Sequence, residues 1–264
     1  MTPVLWALAG GAATFAATAL GSASVFLFKR DMRLPLQRIF LGFAAGIMLA
    51  ACVWSLLMPS VEMAAEQGIP TWLPSSLGLV GGAVVLLVLD KLIPHEHVES
   101  HTREGIHSSL GKRTMFVLAV TLHNIPEGFA VGLTFAVAAG DYAQGVVTLS
   151  SAFMLALGMC IQNLPEGAAI SLPLHDDGLS RGRAFLYGTA SGVVEPIAAV
   201  VAALLADIIT AAMPWLLAFA AGAMLYVIIE ELIPEAHLGE HSHTGTFSVI
   251  AGFILMMVLE LATT

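Results

Sequence analysis

Two nearly identical polar hexapeptides interrupt apolar stretches of this 264-residue chain. The first is His-Asn-Ile-Pro-Glu-Gly, from His123 to Gly128, and the second is Gln-Asn-Leu-Pro-Glu-Gly, from Gln162 to Gly167. A third carboxylate, Glu195, precedes a proline in the next apolar stretch. Imidazole, carboxylate and amide oxygen, without a thiolate, are ligands that suit Zn²⁺, Fe²⁺, Mn²⁺, Co²⁺ and Cd²⁺. The pattern therefore indicates a site for a divalent metal ion.

Helical spacing would bring the polar groups of each hexapeptide onto one face. His123 and Glu127 are four residues apart, and Asn124 is three residues before Glu127, so the three side chains nearly share a face. The second hexapeptide repeats this spacing with Gln162, Asn163 and Glu166. We therefore expect two helices that each present amide and carboxylate groups on one side.

The prolines and glycines of these segments predict bent, closely packed helices. Pro126 and Pro165 lack an N–H, so each frees a backbone carbonyl and bends its helix, and we expect the same of Pro196. Gly128 and Gly167 leave room for a neighbouring helix.

The composition is that of an integral membrane protein. Charged residues make up only 11% of the chain, whereas soluble proteins carry about 25%. A single all-α domain over residues 1–264 is expected, and the formal charge of -9 argues against a nucleic-acid partner. No basic region precedes the first apolar stretch, so we interpret it as a retained helix. Spans of about 20 apolar residues are predicted at about 4–28, 36–60, 74–94, 113–138, 143–174, 184–210, 215–236 and 246–263.

The basic residues predict the orientation of these eight helices. All ten Lys and Arg residues lie at or near the first, third and fifth loops. The positive-inside rule makes these loops cytoplasmic and places both termini on the outer side. Acidic residues without basic neighbours occupy the outer ends. They either remain there because basic residues are depleted, or form an acidic mouth that concentrates cations.

Energetics favour a bound cation near mid-membrane. His123 lies about ten residues into its helix, or about 16 Å at the helical rise. A charged side chain at the bilayer centre costs at least about 2.5–3.5 kcal/mol, so three isolated carboxylates could cost on the order of 8 kcal/mol. Either some of the carboxylates are protonated or divalent ions neutralise them.

These residues carry a resemblance to a known family. The two hexapeptides, the segment Gly192-Val-Val-Glu195-Pro196 and the eight-helix count resemble the ZIP family of divalent metal transporters, in particular its short bacterial members. The resemblance implies uptake of metal into the cytoplasm, with Zn²⁺ as the transported substrate and no organic cofactor. It also implies movement of one helix bundle against another, a homodimer, and a plasma membrane location, which is the inner membrane in a bacterium.

The resemblance also implies a two-metal centre between helices four, five and six. One site would use His123, Glu127, Gln162 and Glu166. The second would use Asn124, Asn163, Glu166 and Glu195, with Glu166 bridging. Gln162 stands where many members have His, and Asn163 stands where some have a carboxylate.

A pathway on either side of this centre is implied as well. Ser55 and Glu62 would lie on an outer path along helix two. The inner exit would lie near Asp90, Glu230 and Glu231. The cytoplasmic loop at about 95–112 and the end of helix seven contain several histidines, among them His95, His97 and His237. These are either part of a solvated polar loop or a transient holding place for metal.

Two other classes of function remain open from the sequence. An intramembrane metal-dependent hydrolase would need a base beside an open metal position, but the H-E-x-x-H and G-x-S-x-G signatures are both absent. A non-transporting metal sensor would bind the ion without moving it.

Overall fold

The computed structural model describes residues 2–27, 34–93, 95–96, 103–104, 111–140, 146–208, 210–237 and 243–262, and most of these residues are helical. The α-helices are α1 Pro3–Ser22, α2 Ser24–Leu27, α3 Leu34–Ala51, α4 Met58–Glu66, α5 Trp72–Leu92, α6 Lys112–Ala139, α7 Leu149–Asp176, α8 Arg181–Ser191, α9 Val194–Ile208, α10 Met213–Val227, α11 Ile233–His237 and α12 Thr244–Leu261. A two-residue ladder pairs β1, His95–Glu96, with β2, Arg103–Glu104.

Eight helical stretches in the described residues are long and apolar enough to cross a membrane, which confirms the predicted all-α architecture. They are Pro3–Leu27, Arg38–Glu66, Trp72–Leu92, Arg113–Ala139, Leu149–Asp176, Arg181–Ala206, Met213–Ala236 and Thr244–Leu261. The sidedness of the termini stays a prediction.

Two of the spanning stretches contain a wider helical turn. A π-helix, Cys52–Leu57, joins α3 to α4, and a second, Ile228–Leu232, joins α10 to α11. Such turns insert an extra residue into the helix and are frequent at functional sites. They change which side chains face inward, so the 3.6-residue period does not carry through these stretches.

The helices pack as two bundles. In the first, called the site bundle, α1 packs against α6, α7 and α9, and α6 packs against α9, with α2 and α8 beside them. In the second, called the frame bundle, α3 packs against α12 and α5 against α10, with α4, α11 and both π-helices attached. The bundles meet mainly where α3 contacts α7 and where α6 contacts α10.

Candidate metal centre

The two hexapeptides lie on α6 and α7, and each helix continues through its proline. Asn124 and Glu127 on α6 are 0% and 2% exposed, and Gln162 and Asn163 on α7 are 1% and 0% exposed. The predicted polar faces are therefore buried inside the protein.

The glycines of the hexapeptides are sites of close helix contact, as predicted. A Cβ added to Gly128 would lie 2.6 Å from the Cα of Glu195 on α9. A Cβ added to Gly167 would lie 2.8 Å from the backbone nitrogen of Ser22 on α1. Both distances are shorter than real Cβ atoms adopt, so a side chain at either position would force the helices apart.

The sixth spanning stretch differs from the prediction of one helix bent at Pro196. It is divided into α8 and α9, and Gly192 and Val193 lie between them. Glu195 thus lies in the first turn of α9. Proline is tolerated in the first turn because the N–H that it lacks would have no helical partner there.

Glu195 is fully buried and hydrogen-bonded through both carboxylate oxygens. The Thr18 hydroxyl on α1 donates to Oε1 at 2.9 Å, and the Asn163 amide donates to Oε2 at 2.9 Å. Asn163 in turn accepts from Gln162 Nε2 at 2.9 Å. The carboxylate is thus held by a chain of donors from α1 and α7.

Three buried oxygens of the hexapeptides have no hydrogen-bond donor among the residues that the structure describes. They are Asn124 Oδ1, Glu127 Oε2 and Glu166 Oε1. A buried acceptor without a partner costs about 1–3 kcal/mol, and more when it is charged. Metal ions bound to these oxygens would remove that cost.

The charges around these oxygens also favour a bound cation. Glu127, Glu166 and Glu195 lie close enough together for their charges to interact. In the described part of the chain, no lysine or arginine forms an ion pair with any of the three. A group of neighbouring carboxylates of this kind is stabilised by a divalent ion.

His123 takes part in an interaction that the sequence did not predict. Its Nε2 pairs with Glu231, which is 6% exposed and comes from the second π-helix. The family resemblance implied Glu231 at the inner exit, and the structure brings it into contact with the central histidine. Among the described residues, no three His, Cys, Asp or Glu side chains converge on one metal position.

A cavity of about 50 Å³ lies between the two bundles at this point. A water molecule needs at least about 10–15 Å³ on this measure, so the cavity has room for an ion with water. Its polar wall consists of His123, Glu127, Gln162, Glu166 and Glu235. Four of the predicted ligands therefore face one space.

Comparison with known proteins fits this arrangement. The family model described as ZIP zinc transporter matches residues 94–260. The chain is 41% identical to zinc transporter ZIPB of Bordetella bronchiseptica, over 97% of this chain and 81% of that protein. It is 36% identical to zinc transporter ZIP11 of Bos taurus, over 98% and 97% of the two chains, and 31% identical to zinc transporter ZupT of Streptococcus mutans, over 97% and 94%. The chain belongs to the ZIP family. Because ZIP proteins are transporters, this ZIP protein is not an enzyme, and the hydrolase alternative is set aside.

Of the two residues predicted on the outer path of this ZIP protein, one is buried and the other is exposed. Ser55, in the first π-helix, is 3% exposed and donates to the carboxylate of Glu260 on α12. Glu62 is exposed on α4. Only Ser55 thus belongs to a buried polar contact near this end of the bundle.

The residues predicted near the inner exit also differ in their burial and contacts. Asp90 is 6% exposed and accepts a hydrogen bond from the Tyr226 hydroxyl at 3.1 Å, while Glu230 is exposed. His95 lies in β1, where it pairs with Glu104. His97 lies outside the described residues, as does most of the loop at 95–112. His237 ends α11, and its side chain is outside the described part.

Sequence reasoning missed Thr18, Tyr226 and Glu235. The sequence around Thr18 on α1 does not indicate a role in the site, because its hydrogen-bond partner Glu195 is 177 residues away in the chain. For Glu235 a signal existed. The pattern acid-x-Leu-Ile-Pro occurs twice, beginning at Asp90 and at Glu230. When the two segments are aligned, Glu235 corresponds to His95.

Proposed function

We propose that this ZIP protein transports divalent metal ions into the cytoplasm, with Zn²⁺ as the principal substrate and Fe²⁺, Mn²⁺, Co²⁺ and Cd²⁺ as further candidates. The observation that carries the proposal is the set of three buried oxygens, on Asn124, Glu127 and Glu166, that have no donor in the described part of the chain. They lie in an anionic group that has no basic partner among the described residues. The names of the relatives, all zinc transporters, favour zinc.

The proposed ligands form two sites that share Glu166. The first comprises His123, Glu127, Gln162 and Glu166, and all four line the cavity. The second comprises Asn124, Asn163, Glu166 and Glu195. Since Nε2 of His123 pairs with Glu231, binding of the ion through Nε2 requires that pair to separate. The ion and Glu231 thus compete for the imidazole, which suits a site that must release its cargo.

Binding of an ion at the second site also requires existing hydrogen bonds to change. Both oxygens of Glu195 accept hydrogen bonds, from Thr18 and Asn163. Each oxygen has a further lone pair, so an ion could bind while the Thr18 contact is kept. Asn163, however, must turn its carbonyl oxygen toward the ion. We infer that the second site fills less readily than the first.

The arrangement in two bundles supports transport by relative movement. The proposed ligands all lie on α6, α7 and α9 of the site bundle, while Glu231 belongs to the frame bundle. Sliding of the site bundle would carry the ion as a unit and separate His123 from Glu231. We propose this movement within a homodimer in a plasma membrane, the inner membrane in a bacterium, with the basic loops inside.

Uptake by purified protein in sealed vesicles tests the proposal. Vesicles that contain a fluorescent zinc indicator should take up Zn²⁺ with the unmodified protein and lose most of that uptake with Glu166→Gln. Asp176→Asn is the matched control, because Asp176 is an exposed carboxylate at the end of α7, and its uptake should be unchanged. Metal binding without any flux would instead support the sensor alternative, and full activity of Glu166→Gln would refute the site.

A further inference from the structure

The cavity has one polar side chain that the proposed two-metal centre does not use. Glu235 lies on α11, directly after Pro234, and is 8% exposed. It lines the same cavity as His123, Glu127, Gln162 and Glu166. The remaining wall is apolar and includes Phe40, Val120, Ile170 and Leu232. Glu235 thus adds a third carboxylate to Glu127 and Glu166 in the lining of this cavity.

Glu235 enters the cavity from the opposite bundle. The other four polar residues belong to α6 and α7, whereas α11 packs against α3, α12 and the second π-helix of the frame bundle. If the site bundle moves, its ligands move with the ion, but Glu235 stays with the frame. Its distance from the ion would therefore depend on the transport step.

An ion that leaves Glu127 and Glu166 needs a new anionic partner. In a low-dielectric surrounding, the attraction between a divalent ion and two carboxylates is strong, and an apolar wall offers nothing in exchange. A carboxylate is a good ligand for Zn²⁺ and for harder divalent ions. Glu235 is the carboxylate of the frame bundle that already lines this cavity.

We propose that Glu235 is a metal ligand that receives the ion from Glu127 and Glu166 on its way to the inner side. This proposal rests on the transport function proposed above. In it, Glu231 competes with the ion for Nε2 of His123 and thereby weakens binding at the central site, while Glu235 takes the released ion. The two acids of the frame bundle thus have separate roles, one toward the imidazole and one toward the metal.

A cysteine probe tests contact between position 235 and the ion. Cys52 and Cys160 are first replaced by alanine, and Glu235→Cys is introduced into that protein. Titration with Cd²⁺ should then produce the ultraviolet absorption of a cadmium–thiolate bond. Ala236→Cys is the matched control, since Ala236 is the next residue, is 2% exposed and does not line the cavity, and it should give no such band. Cd²⁺ binding without a thiolate band at position 235 would overturn the proposal.

Transport by Glu235→Gln tests the role in release. We expect Zn²⁺ uptake to fall about tenfold, the size of effect that one lost favourable interaction produces, while Zn²⁺ binding at equilibrium changes less than twofold. Asp176→Asn should behave as the unmodified protein. Normal uptake by Glu235→Gln would overturn the proposal.

The outcomes separate this proposal from the one on which it rests. If Glu166→Gln abolishes uptake but Glu235→Gln does not, transport stands and the role of Glu235 fails. If neither variant changes uptake, the central site itself is wrong. If Glu235→Gln does not fold, the cadmium band of Glu235→Cys decides.

Discussion

Replacement of Gly128 by alanine is the sharpest test of how α6 and α9 hold Glu195. The added Cβ would lie 2.6 Å from the Glu195 Cα, and ordinary contact begins at 3.4 Å. At least one helix must therefore move by more than about 0.8 Å, because the carbonyl oxygen of Glu195 lies closer still than its Cα. The atoms in the way belong to the backbone, so no side-chain rotation can relieve the clash.

The expected size of the effect follows from two opposing terms. Alanine is favoured over glycine inside a helix by about 1 kcal/mol. Overpacking of a well-packed interior costs about 1–3 kcal/mol, and a clash with backbone belongs near the upper end. We therefore expect Gly128→Ala to lose about 2 kcal/mol of stability. Displacement of Glu195 should also reduce Zn²⁺ uptake.

Gly81→Ala is the control for this experiment. Gly81 lies inside α5, and a Cβ there would meet only Phe219 at 3.8 Å, an ordinary contact. Only the helical preference for alanine over glycine then acts, so the variant should be at least as stable as the unmodified protein. Thermal unfolding in detergent measures stability, and vesicle uptake measures transport. Equal stability and equal uptake for the two variants would refute the close contact between α6 and α9.

Two further predictions concern residues that the sequence did not single out. Thr18→Val removes one of the donors to Glu195 and should cost about 1.5–3 kcal/mol of stability in metal-free protein, whereas Thr18→Ser should retain most of that stability. Thermal unfolding in the presence of a chelator compares the two variants, and an unaffected valine variant contradicts the contact. Tyr226→Phe removes the donor to Asp90 and should lower stability by about 1–2 kcal/mol without changing Zn²⁺ affinity, because Tyr226 does not line the cavity. Calorimetric titration checks that affinity, and a weakened affinity would show that Tyr226 acts on the centre.

The membrane architecture was predictable from composition. Eight apolar stretches of sufficient length have few other uses, because a lipid environment requires each backbone group to be paired within its own helix. Helix ends were predicted within several residues; the seventh span, for example, was expected at 215–236 and runs over Met213–Ala236. The two π-helices were not predicted, because their extra residue depends on packing and leaves no local pattern.

The polar faces of α6 and α7 were also predictable, since helical spacing alone places Asn124 beside Glu127 and Asn163 beside Glu166. The break between α8 and α9 was predicted only in part. The Glu-Pro pair indicated a disturbance, but its position depends on the close contacts of Gly128 and Gly192 with Glu195.

The sequence by itself determined the number of spans, the chemistry of the candidate ligands and which of them share a helix face. These properties are local, because each depends on residues within one or two turns of the same helix. Only the tertiary structure decided that His123 pairs with Glu231, that Thr18 holds Glu195 and that Glu235 reaches the cavity. Each of these contacts joins helices far apart in the chain, and their partners are chosen by how closely the helices approach, which no spacing within a single helix specifies.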